Sequence, residues 1–257
     1  MRIRPDVELA NLTDLGIRRE RNEDYFLYIE PESDEEFAEK GRLLLVADGM
    51  GGHKGGEIAS GIAAASLRDA FLNASQEDPK TILHRGFSQA QREILTRGGE
   101  TDDLSGMGTT CTAVILRNGE LSFGHIGDSR LYLLRAGSLT QLTEDHTLVH
   151  QLVKGGALSK DEAAAFEQKN VLTAALGMKS AAVAADFSEA PIPLDEGDTL
   201  VVSSDGLHGL VDDDEIAQTA GGMSPNDACR ALLNLALDRG APDNITVQIL
   251  RVLEVTR

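Results

Sequence analysis

A chain of 257 residues with 41% hydrophobic and 26% charged side chains can bury a full core, which excludes disordered and fibrous classes. Its 24 basic against 42 acidic residues leave a formal charge of −18, which repels nucleic acid and anionic membranes, so neither is an expected partner. The opening stretch MRIRPDVELANLTDLG lacks the apolar core of a secretion signal, and no run approaches the roughly 18 apolar residues of a membrane span, so a cytoplasmic protein is expected.

Apolar runs bounded by turn residues predict strands at about Leu9 to Thr13, Tyr25 to Ile29 and Arg42 to Ala47. Between the second and third, Glu30 to Glu39 (EPESDEEFAE) reads as an exposed acidic loop. Two helical patterns follow as a pair, about Gly56 to Ala74 and Pro79 to Arg97. Thr110 to Arg117, Leu121 to Ile126 and Arg130 to Arg135 read as an antiparallel meander, with Asn118-Gly119 turning its first hairpin. Cys111 and Cys229 lie among apolar neighbours and read as buried thiols.

Residues Asp145 to Gly177 are Ala-rich and read as a small, mostly helical flap broken at Gly155-Gly156. A strand at Thr199 to Ser203 precedes an acidic helix start at Asp212 to Glu215. Ser224 as N-cap and Pro225 in the first turn open a helix that stops near Gly240, and the last strand spans Ile245 to Val255. Helices grouped between antiparallel strands, rather than alternating with them, predict α+β layers in a single domain over residues 1–257.

Acidic residues recur where strands end: Asp48-Gly49, Asp128-Ser129, Asp205-Gly206, and Asp243-Asn244 entering the last strand. Any one is an ordinary turn pair. Four in unrelated segments suggest carboxylates gathered at one end of a sheet system, where mutual repulsion calls for neutralising cations. Oxygen donors without a His or Cys set favour Mg²⁺ or Mn²⁺ over Zn²⁺, and a two-metal hydrolytic centre follows.

The segments TDLGIRRERNED, LLLVADGMGGHKGGEIAS, GMGTTCTA, GHIGDSRLYLLR, LTEDHTLV, NVLTAALG, LVVSSDGL and APDNITV occur in that order over nearly the whole chain. In them the sequence resembles the metal-dependent protein serine/threonine phosphatases of the type 2C or PPM family, especially free-standing bacterial members. The resemblance implies an αββα sandwich of two antiparallel sheets flanked by helices, with two Mn²⁺ or Mg²⁺ ions in a cleft at one end.

By motif position, the resemblance makes Asp48 the bridge between both ions, with Asp205 and Asp243 completing one coordination sphere and the Gly49 carbonyl serving the other. Glu23 and Asp24 would ligate or order water, and Asp128 could join Asp205 at a third, weaker site. Activated water would attack phosphorus in line, with no covalent intermediate. Arg19, rather than Arg18 or Arg21, would grip the phosphate through its planar fork. His53 is the candidate proton donor to the leaving alkoxide, while His146 reads as structural.

The expected partners are phosphorylated proteins, a serine/threonine kinase and its substrates, met by a monomer. Ala174, Lys54 and the acidic stretch after the second strand depart from the commonest bacterial pattern without touching an expected metal ligand. Two rival readings keep the fold: a phosphoprotein-binding module without catalysis, and a hydrolase of small phosphoesters or phosphotyrosine.

Overall fold

The computed structural model describes residues 3–51, 55–164, 166, 168, 170–179 and 184–255. In chain order the first half comprises β1 (Val7–Asp14), β2 (Asp24–Ile29), α1 (Asp34–Lys40), β3 (Arg42–Met50), α2 (Gly55–Leu72) and α3 (Pro79–Gly98). Next come β4 (Gly108–Thr109), β5 (Cys111–Arg117), β6 (Glu120–Ile126), β7 (Arg130–Arg135), β8 (Ser138–Gln141), α4 (Leu148–Lys154) and α5 (Lys160–Ala164). The chain closes with β9 (Asp186–Phe187), β10 (Ile192–Pro193), β11 (Thr199–Ser203), α6 (Asp205–His208), α7 (Asp213–Gly222), α8 (Pro225–Asp238) and β12 (Ile245–Val252).

One sheet runs β1-β12-β11-β7-β8 and the other β10-β6-β5-β3-β2, with β4 added to β3 and β9 to β6. Every pairing is antiparallel. The two-residue period of β3 shows why the layers stack: Leu43, Leu45 and Ala47 pack with α2 and α3, while Leu44 and Val46 face the other sheet. On β11, Leu200 and Val202 enter the same inter-sheet core, and Val201 turns towards α7 and α8. Each fully buried Leu or Val of this kind contributes about 1.5–3 kcal/mol. Helix, sheet, sheet and helix are thus cemented by three apolar seams, the αββα sandwich expected.

The helix ends follow from their caps. Asp78 accepts from Thr81 N–H ahead of Pro79, Ser224 accepts from Asp227 N–H ahead of Pro225, and Asp212 with Glu215 forms a reciprocal capping box on α7. No helix among the described residues is long and apolar enough to cross a membrane. Cys111 and Cys229 are both free and buried.

Three local expectations need correction. The stretch expected as an exposed loop contains α1, because Ser33 caps it, three acidic residues suit its first turn, and Phe37 packs under the guanidinium groups of Arg4 and Arg42. The meander is broken: β5 and β6 form the hairpin, but β7 crosses to the other sheet, where it pairs with β11 and β8. Among its described residues the flap is less helical than its alanines suggested, since α4 and α5 are short and its ends are tied by the Thr147–Leu172 bridge.

Candidate functional site

The topology gathers the acidic residues at one end of the sandwich. Asp24 opens β2 directly opposite Asp48 on β3. The other sheet brings the end of β11, followed by Asp205 at the first position of α6, beside the start of β12, preceded by Asp243. Asp128 stands on the turn that carries the chain from β6 in one sheet to β7 in the other. Asp48-Gly49 is a strand pair rather than the turn expected, because β3 continues to Met50 by pairing with β4. Glycine is needed there, since a Cβ on Gly49 would lie 2.2 Å from the Gly56 carbonyl oxygen.

Short polar side chains fasten the two sheets at this end. Ser204 Oγ donates to Asp24 Oδ2 at 2.7 Å and accepts from Thr246 N–H at 2.9 Å. Asn244, 3% exposed, accepts from Glu23 N–H and donates to the carbonyls of Leu15 and Arg21. Thr110 Oγ1 accepts from Asp48 N–H at 2.9 Å and meets Ser129 Oγ at 2.7 Å. Sequence reasoning missed these four residues; they lie inside the quoted motifs, each one or two positions from an aspartate or opposite one.

Electrostatically the cluster is crowded. Asp48 is held well above the ordinary carboxylate range by burial, then by the charges of Asp24, Asp205, Asp128 and Asp243. Burial, followed by Asp205 and Asp145, lifts Asp128 to about 8. Asp24 and Asp205 rise to about 6, again with burial as the first cause. Both are half-buried as whole residues, yet Oδ1 of each is sealed from solvent with no hydrogen-bond partner. A buried acceptor left in that state costs about 1–3 kcal/mol.

Arg19 Nη2 donates to Asp243 Oδ2 at 2.6 Å, so Asp243 is engaged from the solvent side. Among the described residues no three Asp, Glu, His or Cys side chains close around a single point. The residues nevertheless fit hard divalent cations: the donors are all oxygen, two are buried without partners, and burial and like charge both resist their ionisation. Glu23 lies beside this group against Gly56, and burial, set against Arg19, leaves its carboxyl raised. His53 and Lys54 lie outside the described residues. The Arg21 guanidinium lies 3.8 Å from Glu57.

Three other histidines are held by the surrounding fold. His125 is fully buried and His208 half-buried, and both are pushed down, to about 4 and 3, first by desolvation, so both are neutral. His208 Nε2 donates to the Asp128 carbonyl at 3.0 Å and His125 Nε2 to the Glu144 carbonyl at 3.0 Å. His84 stacks on Phe187.

A sequence model of the protein phosphatase 2C family matches residues 20–236. Protein phosphatase PhpP of Streptococcus pneumoniae serotype 2 is 34% identical over 253 residues, covering 96% of this chain and 98% of PhpP. The solved structure of the S. agalactiae serine/threonine phosphatase superposes with a TM-score of 0.85 at 36% identity, covering 96% of this chain and 99% of that one. The catalytic domain of the phosphatase PstP, solved in complex with two manganese ions, gives a TM-score of 0.82 at 32% identity, with coverage of 96% and 99%. The chain therefore belongs to the protein phosphatase 2C family and is a protein phosphatase.

Proposed function

We infer that the enzyme hydrolyses phosphoserine and phosphothreonine in proteins with two Mn²⁺ or Mg²⁺ ions at the acidic end of the sandwich. The observation that carries this is the convergence of Asp24, Asp48, Asp128 and Asp205, two of them with buried unpartnered oxygens, beside the guanidinium of Arg19. Support for the metal comes from the two manganese ions in the related PstP catalytic domain. Bound cations would supply an acidified water as nucleophile and would screen the charge developing on the phosphoryl oxygens.

The chain's own residues then have separable tasks. Asp48 would serve both ions, Asp205 and Asp243 would help hold one and the Gly49 carbonyl the other, with Glu23 and Asp24 as ligands or water-ordering groups beside them. Asp128, which feels Asp205 more than any other neighbouring charge, suits a third and weaker position shared with it. Arg19, 46% exposed at its side chain, can leave Asp243 and take two phosphate oxygens in its fork. His53 would protonate the departing alkoxide. The reaction reverses serine/threonine kinase signalling, and a cytoplasmic, monomeric, single-domain enzyme is the form proposed.

Hydrolysis of phosphoserine, phosphothreonine and phosphotyrosine peptides with Mn²⁺, with and without chelator, tests this reading alongside Asp48→Asn and Asp205→Asn. Activity on the first two peptides that vanishes with chelator and in both variants is expected. Activity indifferent to chelator and to both substitutions would refute the metal mechanism. A wild type without activity would favour a binding module, and equal turnover of phosphotyrosine a broader hydrolase.

A further inference from the structure

His146, expected only as a structural residue of the flap, stands where three parts of the molecule meet. Its N–H donates to the Gly127 carbonyl at 2.7 Å, and Gly127 N–H donates back to its ring Nδ1 at 3.2 Å. A ring nitrogen that accepts a hydrogen bond carries no proton, so the proton sits on Nε2, which donates to Asp186 Oδ2 at 3.0 Å. The returning end of the flap closes on the same residue: Thr173 N–H donates to the His146 carbonyl at 2.8 Å, and Leu148 N–H donates to the Val171 carbonyl at 2.8 Å. One residue therefore holds both ends of the flap and the peptide that precedes Asp128.

The turn at Gly127 has little freedom of its own. Its φ is +103°, and a Cβ there would lie 2.5 Å from Thr110 Cβ, so a side chain cannot wedge it into place. Its position is set instead by hydrogen bonds to its backbone, between Gly127 and both the N–H and the ring Nδ1 of His146, and from His208 Nε2 to the Asp128 carbonyl. The Asp128 carboxyl is near enough to feel the charge of Asp205 and to act on Asp48, and its direction follows the orientation of this peptide.

We propose that His146 is a positioning residue that fixes the peptide before Asp128 through the reciprocal Gly127 bonds and so makes the cation-holding end of the site depend on a closed flap base. This rests on the reading of Asp128 as a cation ligand. Outer partners that orient ligands typically change metal affinity by about 10- to 100-fold when removed.

Three variants separate positioning from flap anchoring. His146→Asn presents Oδ1 to Gly127 N–H without reaching Asp186, His146→Gln reaches towards Asp186 without serving Gly127, and Asp128→Asn removes the ligand itself. The Mn²⁺ concentration for half-maximal hydrolysis of a phosphothreonine peptide is expected to rise about tenfold in His146→Gln, with KM for the peptide within about twofold of wild type. His146→Asn should recover most of that loss, and His146→Gln should add little to Asp128→Asn, since both act on one carboxylate.

A second readout needs no metal. In chelated wild-type protein, the Gly127 amide should exchange more slowly than exposed flap amides, and NMR should find the His146 proton on Nε2. A protonated Nδ1, or a freely exchanging Gly127 amide, overturns the proposal whether or not the variants fold. A shifted Mn²⁺ dependence in Asp128→Asn but not in His146→Gln also overturns it and leaves the Asp128 reading standing. No shift in Asp128→Asn removes the Asp128 reading instead.

Discussion

Arg19 and Asp243 hold one another at 2.6 Å, with side chains 46% and 32% exposed. A pair so open to water is worth about 0–1 kcal/mol, too little to fix the fold. Its significance is positional: a cation beside Asp243 or a phosphate beside Arg19 needs to offset only this small amount to part them. The chain therefore keeps its phosphate-gripping group within reach of the acidic cluster without tying stability to it.

Replacing Arg19 with alanine should consequently leave the melting temperature within about 3 °C of wild type. Loss of charge-assisted bonds to phosphate, about 1.5–3 kcal/mol, should raise KM for an aryl phosphate roughly 10- to 100-fold. Arg19→Lys should recover only part of this, because a point charge does not reproduce the fork. Steady-state kinetics of the three proteins at saturating Mn²⁺ decide it, and an unaltered KM in Arg19→Ala would refute the role.

Removing charge from the crowded centre should separate stability from activity. Asp48 is half-buried and faces four other carboxylates. In chelated protein Asp48→Asn therefore relieves repulsion and should raise the melting temperature by a few degrees, the direction expected for a site that sacrifices stability to function. With Mn²⁺ the order should invert, since wild type gains ligand-linked stability and the variant does not. Thermal melts with chelator and with Mn²⁺ measure both; a variant less stable than wild type in chelator would mean that repulsion is not what dominates there.

Much of this arrangement was legible in the sequence. Apolar runs between turn residues located the principal strands, and the Ser224 cap and the acidic run from Asp212 located two helix starts, because these signals are local. Asp48, Asp128, Asp205 and Asp243 stood out because each adjoins a strand end. What escaped depends on distant segments. Nothing near Arg130 announces that β7 leaves its hairpin neighbours for the other sheet, and nothing near Ser204 announces that its hydroxyl will meet Asp24, 180 positions away in sequence. The helix α1 was missed because its acidic surface masked a single apolar anchor, Phe37, whose partners Arg4 and Arg42 lie outside the segment.

Close backbone approach offers a third test. A Cβ on Gly206 would fall 1.9 Å from the Asn244 carbonyl oxygen, between the segments that carry Asp205 and Asp243, whereas one on Gly222 meets nothing within 4 Å. Gly206→Ala should cost about 1–3 kcal/mol through overpacking and should weaken Mn²⁺ binding by forcing the two segments apart. Gly222→Ala, at the end of α7, should be neutral or stabilising by up to about 1 kcal/mol. Denaturant unfolding and Mn²⁺ titration of both variants check the contrast; equal stabilities would show that α6 can shift without consequence.

The Arg130–Asp145 pair predicts the acid limb of stability. Arg130 Nε and Nη2 fork the Asp145 carboxylate at 2.9 and 2.7 Å, and Arg130 Nη1 donates to Tyr132 Oη at 3.0 Å. Burial pushes the Asp145 carboxyl up, but the hydrogen bonds and charge of Arg130 outweigh it and leave the group below the ordinary carboxylate range. A carboxyl depressed in the folded state binds its proton less readily there than in the unfolded chain. Its stabilisation is therefore complete above about pH 4, the unfolded value, and disappears as pH falls through the lower folded value. Asp145→Asn strands a mostly buried guanidinium and should cost about 2–3 kcal/mol at pH 7, some 5–10 °C in melting temperature. Between pH 4 and 3 the gap to wild type should narrow, because wild type loses what the variant never had. Melting curves from pH 7 to pH 3 measure this directly, and a gap that stays constant across that range would show that the pair does not set the acid limb.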